Sequence, residues 1–247
     1  MASFTDEILF IETPIDVMFF MHKAFMSHAK KAETMSGLLK TSDDIERLKP
    51  VIDHWLRHIT YHVDTEDMFL TGPLQELELH DGRLVVRDNV IEHDEIRSGK
   101  IALEEFLSNG PTAGLTSLLE SLVFAAEEEQ HQELVQNVEN LKLVIADALG
   151  EEKTSNRTIR HLHQSILALR VVEWDHFENE EAFVLPLVRE QMTHNEQLKC
   201  ASKLLFDSSS ENPRWIIDDI YDGLSKEEIG EVEKLEREIQ NCGLLDL

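Results

Sequence analysis

The sequence predicts an all-α protein, and three observations carry that prediction. Only six prolines and ten glycines interrupt runs rich in Glu, Leu, Ala, Lys and Ile across 247 residues, a composition that suits helices rather than sheets. Alternating apolar and polar residues, the mark of a half-buried strand, are nearly absent. Helix starts and stops are set out by recognisable caps and breakers.

Thr13 and Pro14 suit an N-cap and a first helical position and open a helix over about 14–39. Thr41-Ser42-Asp43-Asp44 starts a second, to about 69, with Pro50 early in it. His80-Asp81-Gly82-Arg83 is a turn signal within a loop over 72–86. A further helix is expected over about 87–107, stopped by Ser108-Asn109-Gly110-Pro111. A long amphipathic helix over 115–149 ends at Gly150, and Ser155 or Asn156 caps the next, over 157–192. Shorter helices follow over 195–205, 214–224 and 226–239, the last with Ser225 and Glu228 at capping-box spacing, and 207–212 reads as an exposed loop. The length suits one core with appended helices. A principal domain over 1–195 and a C-terminal helical extension over 196–247 are the expected division.

Forty-nine acidic residues against 23 basic ones give a formal charge of −26. That balance opposes binding to nucleic acid or to an anionic membrane surface. Cys200 and Cys242 show no CxxC spacing, so neither a disulfide framework nor a thiolate zinc site is expected, and any metal must be held by nitrogen and oxygen. The first residues lack a basic n-region and the apolar stretch from Val17 to Met21 is too short to span a bilayer; the expected location is the cytoplasm.

Two segments far apart say the same thing: His62-Val-Asp-Thr-Glu66-Asp67 and His176-Phe-Glu-Asn-Glu180-Glu181. Each puts an imidazole and a carboxylate four residues apart in a helical run, hence on one helix face. Each is followed by a mostly apolar stretch ending in proline, at Pro73 and Pro186. His22 sits at the centre of the apolar run 17–25 and needs a partner there, and His93 lies on the helix expected over 87–107. Four histidines and two carboxylates from four helices are the candidate ligands: His22, His62, Glu66, His93, His176 and Glu180. Such a set suits iron, manganese or zinc, and two carboxylates can bridge a pair of ions.

In order and spacing these segments resemble a haemerythrin-like (HHE) domain. Residues 14–25 (PIDVMFFMHKAF), 61–74 (YHVDTEDMFLTGPL), 91–96 (IEHDEI) and 176–187 (HFENEEAFVLPL) resemble the family's four helix signatures, over roughly residues 12–195. The resemblance implies an up-down four-helix bundle around two iron ions, or manganese or a mixed pair. In it Glu66 and Glu180 bridge, the histidines bind terminally, and O2 or a related small molecule is the ligand. It implies a protein that binds or senses O2 or iron; a diiron oxidase or oxygenase acting on a small organic substrate is the alternative.

The chain departs from the family in three places. Arg97 stands where the oxygen carriers of the family have a second histidine. Either Glu180 or its neighbour Glu181 could be the bridging carboxylate, and Glu180 is favoured by the HxxxE spacing. The helix over 115–149 reads as an insertion between the third and fourth signatures. The run Glu127-Glu128-Glu129-Gln130-His131 on it reads first as a solvated face, although Glu127, Glu128 or His131 are candidates to replace the ligand missing at position 97. Glu128-x2-His131 and Glu173-x2-His176 also make two ExxH pairs, as in ferritin-like carboxylate enzymes. His58 is expected beside the site and His54 at the surface, while His28, His80, His161, His163 and His194 read as surface or hydrogen-bonded core residues. Asp67, Asp94 and Asp175 are candidate acceptors for ligand histidines.

Overall fold

A computed structural model describes residues 10–74, 113–150 and 155–244, with side chains in the middle segment from residue 123 onward. All regular structure among these residues is helical, as expected. Of the loop expected over 72–86, residues 72–74 are helical; the rest of it and the helix expected over 87–107, with His80, His93, Asp94 and Arg97, lie outside the described residues.

Four long helices form the body: α1 (Val17–Ser36), α2 (Ser42–Glu66), α3 (Ala113–Gly150) and α4 (Asn156–Asn179). A single 3₁₀ turn, Pro14–Asp16, precedes α1, because Pro14 fixes its own φ and the Asp16 carboxylate accepts from the Thr13 and Glu12 amides. Thr41 and Asp44 close a capping box at the start of α2, and Ser155 accepts from the Thr158 amide at the start of α4. The four helices pack in a closed ring in which α2 and α4 each contact both α1 and α3. The helix expected as an insertion is therefore a full packing partner of α2 and α4.

The ring is held by one repeating pattern. Buried positions recur at alternating steps of three and four: Met18, His22, Phe25, Ala29, Ala32 and Ser36 on α1; Ile45, Leu48, Ile52, Trp55, Ile59, His62 and Glu66 on α2. The same steps give Phe124, Glu127, His131, Leu134, Val138, Leu141, Ile145 and Ala148 on α3, and Leu162, Ile166, Leu169, Glu173, His176 and Glu180 on α4. This is the seam of helices packed side by side, where each apolar side chain contributes about 1.5–3 kcal/mol on burial. Apart from Ser36 at the end of α1, the seam is apolar except at one level, where it turns to histidine and glutamate. That level lies between two apolar clusters, one around Leu48, Trp55, Leu141 and Leu162, the other around Met18, Met21, Leu198 and Ile217.

The second cluster explains why residues 17–21 are apolar all round. The face of α1 turned away from the seam packs on α6 (His194–Leu205), α7 (Trp215–Ile220) and α8 (Lys226–Asn241), which follow α5 (Leu185–Gln191). Polar ties fix these elements in place. Lys23 Nζ lies 2.7 Å from Glu228 Oε1, the Tyr61 hydroxyl donates to the Lys203 carbonyl at 2.6 Å, and the Arg189 guanidinium meets Asp16 at 2.6 and 3.0 Å. Ser225 and Glu228 form the expected capping box on α8. No helix among the described residues is long and apolar enough to cross a membrane, and Cys200 and Cys242 are free thiols.

A close approach backs α1 near its histidine. A Cβ at Gly223 would lie 2.7 Å from the Ala24 Cα, two residues beyond His22. Since the obstructing atom is backbone, Gly223→Ala must displace α1, and a cost of roughly 1–3 kcal/mol is expected in urea unfolding.

Candidate metal centre

Both His-x3-Glu pairs sit just before an interruption of their helix. The backbone widens into a π turn at Asp67–Thr71 after Glu66 and again at Glu180–Val184, with Pro73 and Pro186 two residues beyond each turn. Proline cannot donate to the carbonyl four residues back, so the ladder shifts: the Gly72 amide reaches Asp67 O and the Leu185 amide reaches Glu180 O, five residues away. The two segments thus repeat one local device, a ligand pair followed by a proline-linked π turn.

Four imidazoles (His22, His62, His131, His176) and three carboxylates (Glu66, Glu127, Glu180) converge at the polar level, none more than 3 % exposed. His22 Nε2 is 3.1 Å from Glu180 Oε2, which is also 3.7 Å from His62 Nε2 and 3.8 Å from His176 Nε2. On the other side, His131 Nε2 is 3.2 Å from Glu66 Oε2 and 3.1 Å from Glu127 Oε1, and His176 Nδ1 is 3.2 Å from Glu127 Oε1. His62 Nε2 stands 3.6 Å from Glu66 Oε2.

These donors do not satisfy one another. Both ring nitrogens of His62 and of His176, the Nε2 atoms of His22 and His131, both oxygens of Glu66 and of Glu180, and Glu127 Oε1 are buried without a hydrogen-bond partner. Buried polar atoms without hydrogen-bond partners are costly. A cation bound among these would satisfy them. Two donors on one ion at about 2.1 Å are roughly 3.0–3.4 Å apart, close to most of the spacings here. Two overlapping groups, His62, Glu66, His176, Glu180 and Glu66, Glu127, His131, His176, could each hold a metal ion, and they share Glu66 and His176.

The residue after each central carboxylate orients a histidine from another helix. Asp67 Oδ1 lies 2.7 Å from His131 Nδ1, and Glu181 Oε1 lies 2.7 Å from His22 Nδ1. Each contact leaves the Nε2 lone pair aimed at the centre, the arrangement that fixes a ligand ring and raises its basicity. Asp67→Asn and Glu181→Gln are each expected to weaken metal binding by about 10–100-fold with the fold intact, read by competition against a chromophoric chelator.

Without a cation, protons take its place. Burial, reinforced by Glu180, pushes the Glu66 carboxyl up to about 7, and burial lifts Glu127 to about 7. Burial opposes charge on His22, but Glu180 and Glu181 together outweigh it and hold the ring up to about 10. His131 is likewise raised, burial being overcome by Asp67, Glu127 and Glu66. Burial keeps His62 neutral, down to about 3, and His176 well below its ordinary value.

Of the six residues expected as ligands, five meet here: His22, His62, Glu66, His176 and Glu180. His93 lies outside the described residues. Glu180 Oε2 faces the centre, 3.1 Å from His22 Nε2, and Glu181 stands behind the same ring, 2.7 Å from its Nδ1. The run 127–131 is not a wholly solvated face, because Glu127 and His131 turn inward while Glu128 is exposed. The ExxH pairing fails with it: Glu128 faces water, and Glu173 instead accepts from the Trp55 indole at 2.7 Å, its carboxyl pushed up to about 8 by burial. The seam register carried the missing signal, since Glu127 and His131 continue the spacing of Phe124 and Leu134. Of the three aspartates expected as acceptors, Asp67 meets His131, Asp175 is exposed, and Asp94 lies outside the described residues.

His58 is buried and hydrogen-bonded to Asp219, and His54 is half-exposed beside it. His163 bonds Ser36 and His194 bonds Glu238, while His161 is exposed. Comparison with protein-family models, curated proteins and solved structures finds no match to this chain.

Proposed function

We propose that the chain is a haemerythrin-like up-down four-helix bundle with a non-haem diiron centre, and that it binds or senses O2, or a related small ligand, there. The observation that carries this reading is the donor set. Four imidazoles and three carboxylates, all buried and turned inward from four helices, exceed what one ion takes, and the absence of thiolate suits iron. In this reading α3 is the third helix of the bundle rather than an insertion, and Glu127 and His131 take the places that the family fills with histidines. The two ions would be held by the overlapping groups His62, Glu66, His176, Glu180 and Glu66, Glu127, His131, His176, with His22 beside Glu180.

A pair of irons supplies electrons and an open coordination position to a small ligand. The chain's own residues shape that position. The Phe177 ring stacks on His22 at 4.1 Å and 6°, and Phe25 lies edge-on to His62 at 5.3 Å, so aromatic carbon excludes water from one side of the centre. A second reading, an O2-activating oxidase, draws on the third carboxylate, Glu127, since a carboxylate-rich shell favours the oxidised metal.

Metal analysis with absorption spectra of reduced protein before and after exposure to O2 tests both readings. Two irons per chain and a reversible spectral change support binding or sensing. Irreversible change with continued consumption of reductant supports the oxidase. A single zinc per chain with no response to reductant overturns the diiron proposal.

A further inference from the structure

A second histidine cluster lies off the seam, on the flank of α1 and α2 that faces α7. His28 of α1 and His54 and His58 of α2 bring one ring nitrogen each to within 4.8 Å of the others, with ring centroids 4.7–5.3 Å apart. Asp219 of α7 reaches into the cluster: its Oδ2 is 2.5 Å from His58 Nε2 and 3.6 Å from His54 Nε2. His28 is 8 % and His58 1 % exposed, and the Nδ1 atom of each is buried with no hydrogen-bond partner. A histidine kept in a core for packing normally satisfies both nitrogens; here two of three rings do not.

We propose that His28, His54, His58 and Asp219 form a second, mononuclear site for a divalent transition-metal ion of the zinc class. Three imidazoles and one carboxylate are a nitrogen-rich set of four donors, matched to tetrahedral zinc rather than to calcium or magnesium, which take oxygen, or to copper(I), which takes sulfur. The three elements that supply the ligands are already packed together, and His54 and His58 stand at i and i+4 on one helix face. An entry path exists: a surface cavity of about 410 Å³ opens onto His28 and His54, with Pro50 and Asp222 on its walls.

This site is independent of the dinuclear one. Phe25 stands between them, its ring 5.2 Å from His58 and 5.3 Å from His62, and the two donor sets have no residue in common. A second metal therefore does not require that the first reading be right.

The test uses the full chain carrying Glu66→Gln and Glu180→Gln, stripped with chelator and titrated with Co2+ as the probe. One Co2+ per chain with the intense visible bands of four-coordinate cobalt, bleached by added Zn2+, is the expected result. His54→Ala, at a half-exposed position where the fold tolerates truncation, and Asp219→Asn, which keeps its shape, are each expected to weaken that binding by at least about 100-fold with unchanged circular dichroism. Absence of Co2+ binding, or binding that neither substitution alters, overturns the proposal. Failure of the diiron reading would appear elsewhere, as the wild-type chain taking up no more metal than the Glu66→Gln, Glu180→Gln chain.

Discussion

Replacing Glu66 and Glu180 together with glutamine is expected to abolish metal binding at the dinuclear centre while leaving the fold intact. Glutamine keeps the shape of the side chain and removes its charge, and these two carboxylates are the ones placed between the histidines of opposite sides: Glu180 Oε2 lies near His22, His62 and His176, and Glu66 Oε2 near His62 and His131. The apoprotein should keep its helical structure but be less stable than wild type at neutral pH, because Glu180→Gln takes away one of the two carboxylates that hold the charge of the buried His22 ring. The metal-loaded comparison should differ sharply. With free metal at 100 times its dissociation constant, binding stabilises the wild-type fold by about 2.7 kcal/mol, or about 5–10 °C in melting temperature for a chain of this length. The double variant should lose the part of that increment that comes from the dinuclear centre and keep only what a second site contributes. Equal metal-induced shifts in the two proteins would remove Glu66 and Glu180 from the centre.

The part of this centre that sequence made legible is the part with local spacing. His62 and Glu66, and His176 and Glu180, announce themselves because four residues is one turn of helix and the pair shares a face. His22 is visible because a polar ring in the run 17–25 has no reason to be there unless something meets it. Glu127 and His131 share the same four-residue spacing, but they sit in a run with Glu128, Glu129 and Gln130, and local composition says water. What turns them inward is register. The seam of α3 from Phe124 to Ala148 is set by contact with α2 and α4, a long-range fact that outweighs the charge of the neighbours. Helix starts are legible in the segment 41–44, at Ser155 or Asn156, and at Ser225, where the caps fall on Thr41, Ser155 and Ser225, because capping is settled within four residues. The π turns are not legible in Pro73 and Pro186, since proline forbids one hydrogen bond without saying which bond replaces it.

Metal uptake should release protons, and the number should depend on pH in a direction fixed by the site. Ligands bind metal only when deprotonated, so every proton held by the metal-free centre must leave. His22, raised to about 10, and His131, raised further, hold protons across the neutral range. Glu66 and Glu127, each raised to about 7, are mostly ionised at pH 8.5 and mostly protonated near pH 6. His62 and His176, both lowered, contribute none in that window. About two protons should therefore leave per loaded centre at pH 8.5 and about four near pH 6. Affinity must fall as pH falls, and fall more steeply on the acid side, because the slope of log affinity against pH equals the number of protons displaced. Dye-indicator titrations in weak buffer measure the release directly, and chelator competition at several pH values measures the slope independently. Agreement of the two, with the count rising toward acid, is the expected result. A release near zero throughout would mean that the buried carboxylates and imidazoles are not what the metal displaces protons from, and would place the ion elsewhere in the chain.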